Sequence, residues 1–219
     1  MKILGIETST RIGSFSLVDG KSVLAESIIS ENLRHSGDFE RALKNLFDPS
    51  KLKSSDLDAI AVGLGPGSFT GIRIGLTIGT ALSFSLQKPL FGLGTLEVLA
   101  HQVEFPHSKI CPIISAEAGE VYGAVFKKKN KNLEKTKEEF MITIPGLKEV
   151  VGPSVFLFGP GLERDRLLIE KIFGVKSVDA HIIFPLARGV AFLAQDPIWR
   201  CEGEAVIPRY VKPLAVKPG

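Results

Sequence analysis

Apolar positions along this chain fall into short unbroken runs closed by turn residues and longer runs recurring every three or four positions. Residues 3–6, 13–18 and 23–29 are of the first kind and predict three strands, the last two joined as a hairpin around Asp19-Gly20. From Ser36, a residue suited to cap a helix, Phe39, Leu43, Leu46 and Phe47 recur at helical spacing opposite Glu40, Arg41 and Lys44. That predicts an amphipathic helix, ended by Asp48-Pro49-Ser50. His35 precedes it and reads as a capping or packing residue.

A buried strand follows over 59–64 and runs into Gly65-Pro66-Gly67, with Ser68 as the predicted N-cap of the next helix. This helix carries Gly71, Gly75, Gly79 and Ser83 every four residues, one ridge almost bare of side chains. Each interior glycine costs about 1 kcal/mol against alanine, so the ridge predicts close approach of another backbone. Spacing alone leaves open whether that backbone is the chain's own or a second protein's. A strand over 89–94 and a helix over 95–103 follow.

Residues 104–109 break the pattern, and the chain then begins again: strands over 109–116, 121–127, 140–144 and 155–158, then Gly159-Pro160-Gly161. The following helix carries Leu162, Leu167, Leu168 and Ile172, closed by Gly174. Glu7 to Gly13 spans the same six residues as Glu117 to Gly123, and the strand-Gly-Pro-Gly-helix unit recurs, but the offsets, 117 − 7 = 110 and 159 − 65 = 94, are unequal, so spacing leaves both a two-lobed duplication and a single large domain open. The candidate boundary is this break at 104–109. A helix over 186–194 and an extended tail over 206–212, anchored by Tyr210, complete the chain.

Composition adds mainly exclusions. A net charge of +3 over 219 residues is too weak a field to imply nucleic-acid binding. The basic stretch at 127–131 reads as a solvated hairpin tip. Cys111 and Cys201 give neither a disulfide framework nor metal-ligand spacing, which suits a reducing cytoplasm. The apolar runs are expected to fall short of membrane-spanning length. The turn Glu7-Thr8-Ser9-Thr10 is either a polar turn satisfying its own backbone or the carboxylate-and-hydroxyl element that grips phosphate and its metal in actin-like ATPases.

Taken together, ILGIETST, His35-Ser36, GLGPGSFTGIRIGLTIGTALS, GEVYGAVF and PRYVKP resemble the bacterial TsaB (YeaZ-like) family over most of the chain. The resemblance implies an α/β fold of two actin-like lobes, 1–104 and a reduced 105–219, of the acetate kinase, sugar kinase and Hsp70 kind, each a mixed sheet flanked by helices. It implies a non-catalytic cytoplasmic scaffold subunit with no cofactor, pairing as a heterodimer with a catalytic paralogue, TsaD. That enzyme transfers threonylcarbamoyl to the tRNA adenosine next to the anticodon. A TsaE-like ATPase completes the assembly, and tRNA is met only through the complex. Carried onto this sequence, the pairing surface comprises Ser36, Phe39 and Leu43 of one helix, and Phe69, Gly71, Arg73, Gly75, Gly79 and Ser83 of the glycine helix.

The residues agree with a non-catalytic role. The paralogue's metal site is a histidine pair four apart on one helix, and His35, His101, His107 and His181 contain no such pair. The sequence also lacks a Walker lysine. Glu7 stands where the family usually has Asp, and Ser115-Ala116-Glu117 where it has Asp-Ala-Arg, so no phosphate-site residue is carried over. The alternatives are a free-standing actin-like ATPase or phosphotransferase using Glu7 and the Gly65-Pro66-Gly67 turn, and a homodimer formed through the glycine ridge when no partner is present.

Overall fold

The computed structural model describes residues 1–30, 36–50, 52–102, 104, 107–117, 119–129, 132–152, 154–179, 181 and 183–212. His35, Asn130 and Lys131 lie outside these residues. The chain opens with β1 (Lys2–Glu7), β2 (Ile12–Asp19) and β3 (Ser22–Ser30), then α1 (Ser36–Ser50), β4 (Ala59–Gly63), α2 (Phe69–Leu86), β5 (Leu90–Leu93) and α3 (Thr95–Gln102). β1 pairs antiparallel with β2 and parallel with β4, placing it at the centre of its sheet. Leu4 and Ile6 lie in a core cluster with Ala42 and Leu46 of α1, whereas Ile3 lies in a second cluster with Ala59 and Ala61. Both faces are covered, which is why these strands read as unbroken apolar runs instead of alternating ones.

The second series is β6 (Lys109–Ser115), β7 (Glu120–Lys129), β8 (Asn132–Thr143), α4 (Ile144–Val151), β9 (Phe156–Phe158) and α5 (Leu162–Phe173). It repeats the order of β1 to α2, with its first strand antiparallel to the second and parallel to the fourth. The fold is thus α/β in two actin-like lobes, the second sheet having four strands, β8-β7-β6-β9, against six in the first. β8 begins well before the expected residue 140, because its outer half (NLEKTKEE) is charged and offers no apolar alternation. α4 has no counterpart among the elements the pattern predicts; its Pro145 stands in the first helical turn, where proline is well tolerated. In α5 the buried residues are Leu162 and Ile169, while Leu167, one of the four apolar residues that mark the helix, is 82% exposed.

The chain then supplies α6 (Ala187–Leu193) and β10 (Arg200–Glu202). β10 adds to β5, giving the order β10-β5-β4-β1-β2-β3, and α6 buries Val190 and Ala191 against Ile3, Val18, Ala59 and Ala61. Gly5 admits this approach, since a Cβ there would stand 2.2 Å from the Ala187 carbonyl oxygen. The two compact units are accordingly Met1–Val98 with Pro185–Arg209, and Leu99–Phe184 with Tyr210–Gly219. They differ from a contiguous division after residue 104 because the small residues of α6 fit the first sheet's uncovered face.

Candidate functional site

Ser68 caps α2 as expected, its hydroxyl accepting from the Gly71 N–H at 3.2 Å. The glycine ridge turns inward. A Cβ at Gly71 would stand 2.0 Å from the Thr8 carbonyl oxygen, at Gly75 2.3 Å from Thr8 Oγ1, and at Gly79 2.4 Å from Val62 Cγ1. Thr8 Oγ1 donates to the Gly71 carbonyl at 2.7 Å, tying helix to strand end. Gly71, Gly75 and Gly79 therefore pack on their own sheet, a correction to their placement on a pairing surface. α2 also meets the length and composition of a membrane-crossing helix, at 18 residues and mean hydropathy 1.3. This corrects the expectation from apolar runs, and the helix serves instead as cover for β1 and β4.

The opposite face of α2 is open. At about 100° per residue, Phe69, Arg73, Thr77, Thr80 and Phe84 fall on one exposed stripe, roughly opposite the glycines. Phe69 is 53% and Phe84 86% exposed, and the Arg73 guanidinium sits 3.7 Å from the centre of the Phe69 ring. Leu76, Thr77, Thr80, Ala81 and Phe84 line a shallow depression of about 490 Å³. Of the other predicted surface residues, Leu43 is half-buried against the core and Ser83 donates to the Lys88 carbonyl at 2.6 Å. Ser36 and Phe39 lie in α1.

At the strand ends beside α2, Glu7 is wholly buried. The Ser9 N–H donates to Glu7 Oε1 at 2.7 Å, and the Thr95 hydroxyl lies 3.4 Å from Oε2 and 3.1 Å from Ser9 Oγ. Gly63 at the end of β4 leaves room for the carboxyl, since a Cβ there would meet Oε2 at 2.2 Å. The helix start is likewise occupied, with the Ser68 N–H donating to the Ser9 carbonyl at 2.7 Å. From the far side the tail closes the turn: the Arg209 N–H donates to Leu64 O and its guanidinium to Glu97 Oε1, both at 2.8 Å. Arg209 makes these contacts, whereas Tyr210, the expected anchor, is 56% exposed. These partners of the turn are the chain's own groups, and the Glu7 carboxyl is buried among Ser9, Gly63 and Thr95.

Burial raises the Glu7 pKa from its ordinary 4.5, against the lowering effect of hydrogen bonds from Ser9, Thr8 and Thr95. The folded chain thus holds this proton more tightly than the unfolded chain. Stability should fall as pH rises from 4.5 through the raised folded value, then level off. Glu7→Gln keeps an acceptor for the Ser9 N–H and removes the charge. The melting temperature of the variant minus that of the wild type should climb over this window, and parallel curves would contradict the assignment.

The remaining candidates stand apart. Burial pushes the Cys111 thiol up to about 12, unlike an activated nucleophile. His101 lies in the last turn of α3, His107 precedes β6, and His181 lies 3.6 Å from Asp179. Among the described residues no three His, Cys, Asp or Glu side chains converge as a metal site. Lys127 and Lys128 are exposed, next to the Lys129–Asn132 pair that closes the β7–β8 ladder.

A protein-family model described as "TsaD: tRNA N6-adenosine threonylcarbamoyltransferase" matches residues 22–153. The "tRNA threonylcarbamoyladenosine biosynthesis protein TsaB" of Bacillus subtilis (strain 168) is 33% identical over 218 residues, covering 97% of this chain and 94% of the relative. The Escherichia coli (strain K12) protein of the same description is 29% identical over 224 residues, with 99% and 95% covered. Among solved structures, "YeaZ from Pseudomonas aeruginosa" superposes with a TM-score of 0.75 over 95% of this chain and 100% of that one, at 24% identity, which shows a shared fold.

Proposed function

This chain belongs to the TsaB family of tRNA threonylcarbamoyladenosine biosynthesis proteins, and on that premise we propose that it is a non-catalytic scaffold subunit. It pairs with a TsaD-like catalytic paralogue through the outer stripe of α2 and the adjoining surface of α1. A TsaE-like ATPase joins the pair, the assembly works in the cytoplasm, and tRNA is modified at the paralogue's site. With the partner absent, the same stripe pairs two copies of this chain.

The observation that carries this reading is the outward face of α2, where Phe69, Leu76, Ala81 and Phe84 form an apolar strip beside Arg73. Aromatic residues and arginine are the usual anchors of protein interfaces. The buried Glu7 and its filled surroundings argue against a free-standing ATPase, because phosphate binding at a helix start needs open N–H donors.

The isolated chain should turn over neither ATP nor threonylcarbamoyl-adenylate with tRNA, and transfer should appear when the paralogue and ATPase are added. Turnover by the chain alone that survives repurification and disappears in Glu7→Ala would establish the enzyme reading instead.

A further inference from the structure

In the second unit, β6 and β9 run parallel and begin side by side, with Ile110 opposite Phe156. A single 3-10 turn, Val175–Ser177, ends beside them, since Val178 bridges to Leu157. These three chain segments line an open cleft of about 250 Å³, below the roughly 300–1,000 Å³ of drug-sized pockets, so it holds one small polar group of a ligand that extends beyond it. Its walls include Lys109, Lys176, Ser154 and Ser177, and among the described residues that line it none is acidic. Lys109 gives one hydrogen bond to the Val151 carbonyl at 2.5 Å, which leaves two of its three N–H donors. His107 lies flat on Phe156, ring centres 4.1 Å apart and planes 10° from parallel, and is itself exposed.

We propose that this cavity takes a nucleotide, with its phosphate on Lys109, Lys176 and the serine hydroxyls and its base stacked on the outer face of His107. Two ammonium groups with hydroxyls supply the charge and donors that a phosphate needs. A backed, flat imidazole supplies the stacking surface that nucleotide-binding proteins use without regard to base identity. The basic hairpin tip is not counted in the site: Lys127 lies across from Lys109, but Glu134 lies across from Lys127 on its other side. The nucleotide is either free or an unpaired residue of an RNA strand.

The test uses the full chain alone, so it does not depend on pairing. Inorganic phosphate, AMP and a short unstructured oligoadenylate are titrated against wild type, Lys176→Glu, His107→Ala and Lys128→Gln. The two pocket positions are exposed, so these variants should fold, and melting curves verify it. Lys176→Glu should weaken all three probes by about tenfold or more. His107→Ala should weaken AMP and the oligonucleotide by about tenfold while sparing inorganic phosphate, as loss of a base stack does. Lys128→Gln should stay within about twofold, as for a solvated tip. Tighter binding of the oligonucleotide than of AMP identifies an RNA strand as the source, and the reverse a free nucleotide. Absence of saturable binding by any probe, binding that survives both pocket substitutions, or an equal loss in Lys128→Gln overturns the proposal.

Discussion

Gly75→Leu should destabilise the chain's own fold, and not merely its pairing. The new Cβ alone would stand 2.3 Å from Thr8 Oγ1, whose hydroxyl is already committed to the Gly71 carbonyl. Thr8 directly follows β1, which its neighbours fix on both sides, so the strand end cannot withdraw. Overpacking costs about 1–3 kcal/mol or more, and loss of the buried hydroxyl's partner about 1–3 more. The gain in helix propensity, about 1 kcal/mol, does not offset that. At roughly 2–4 °C per kcal/mol for a chain of this size, the melting temperature should fall by about 10 °C, or soluble protein should be lost. The pairing surface carried over from the family resemblance predicts the opposite, an intact monomer that fails to pair. Thr77→Leu on the exposed stripe is the control and should leave the melt unchanged. A Gly75→Leu variant melting within about 3 °C of wild type would show that the ridge is not packed as described.

Phe84→Arg should abolish pairing with the TsaD-like paralogue and leave the monomer's melt unchanged. The side chain is 86% exposed, so its replacement removes almost nothing from the core. In an interface the same change deletes an aromatic anchor and places a cation against an apolar partner, worth about 2–4 kcal/mol or a loss of about 30-fold to 1,000-fold. Thr80→Arg, one turn away on the same stripe, should act alike. Calorimetric titration against the paralogue, beside melting curves of each variant, checks both expectations. Undiminished affinity in both variants would move the interface off this face of α2.

The strands of the first sheet were legible because both of their faces are covered, which leaves long apolar runs between glycine, proline and aspartate turns. The glycine ridge was legible as a close contact, but its direction was not. Four-residue spacing says that two backbones approach, and only the position of Thr8 and Val62 says whose they are. Periodicity missed the outer half of β8, where charge alternates with charge at a sheet edge, and α4, where a proline and a glycine stand inside a real helix. It also missed β10, whose three residues are too few to carry a pattern. Of the strand-end residues, Glu7 drew notice as a carboxylate before hydroxyls. Its burial depends on Gly63 and Thr95, which are 56 and 88 positions away, a juxtaposition that local sequence does not encode.

The return of residues 185–209 to the first sheet has a consequence for how the chain is made. During synthesis α1 and α2 can cover one face of that sheet as soon as they emerge, whereas the face carrying Ile3, Val18, Ala59 and Ala61 waits for α6. Nearly the whole second unit is translated in between. The nascent first unit therefore passes through a long interval with one apolar face bare, the condition in which chaperones bind and chains aggregate. A fragment ending near residue 104 would be held permanently in that interval, and supplying the segment containing α6 as a separate chain is what should release it.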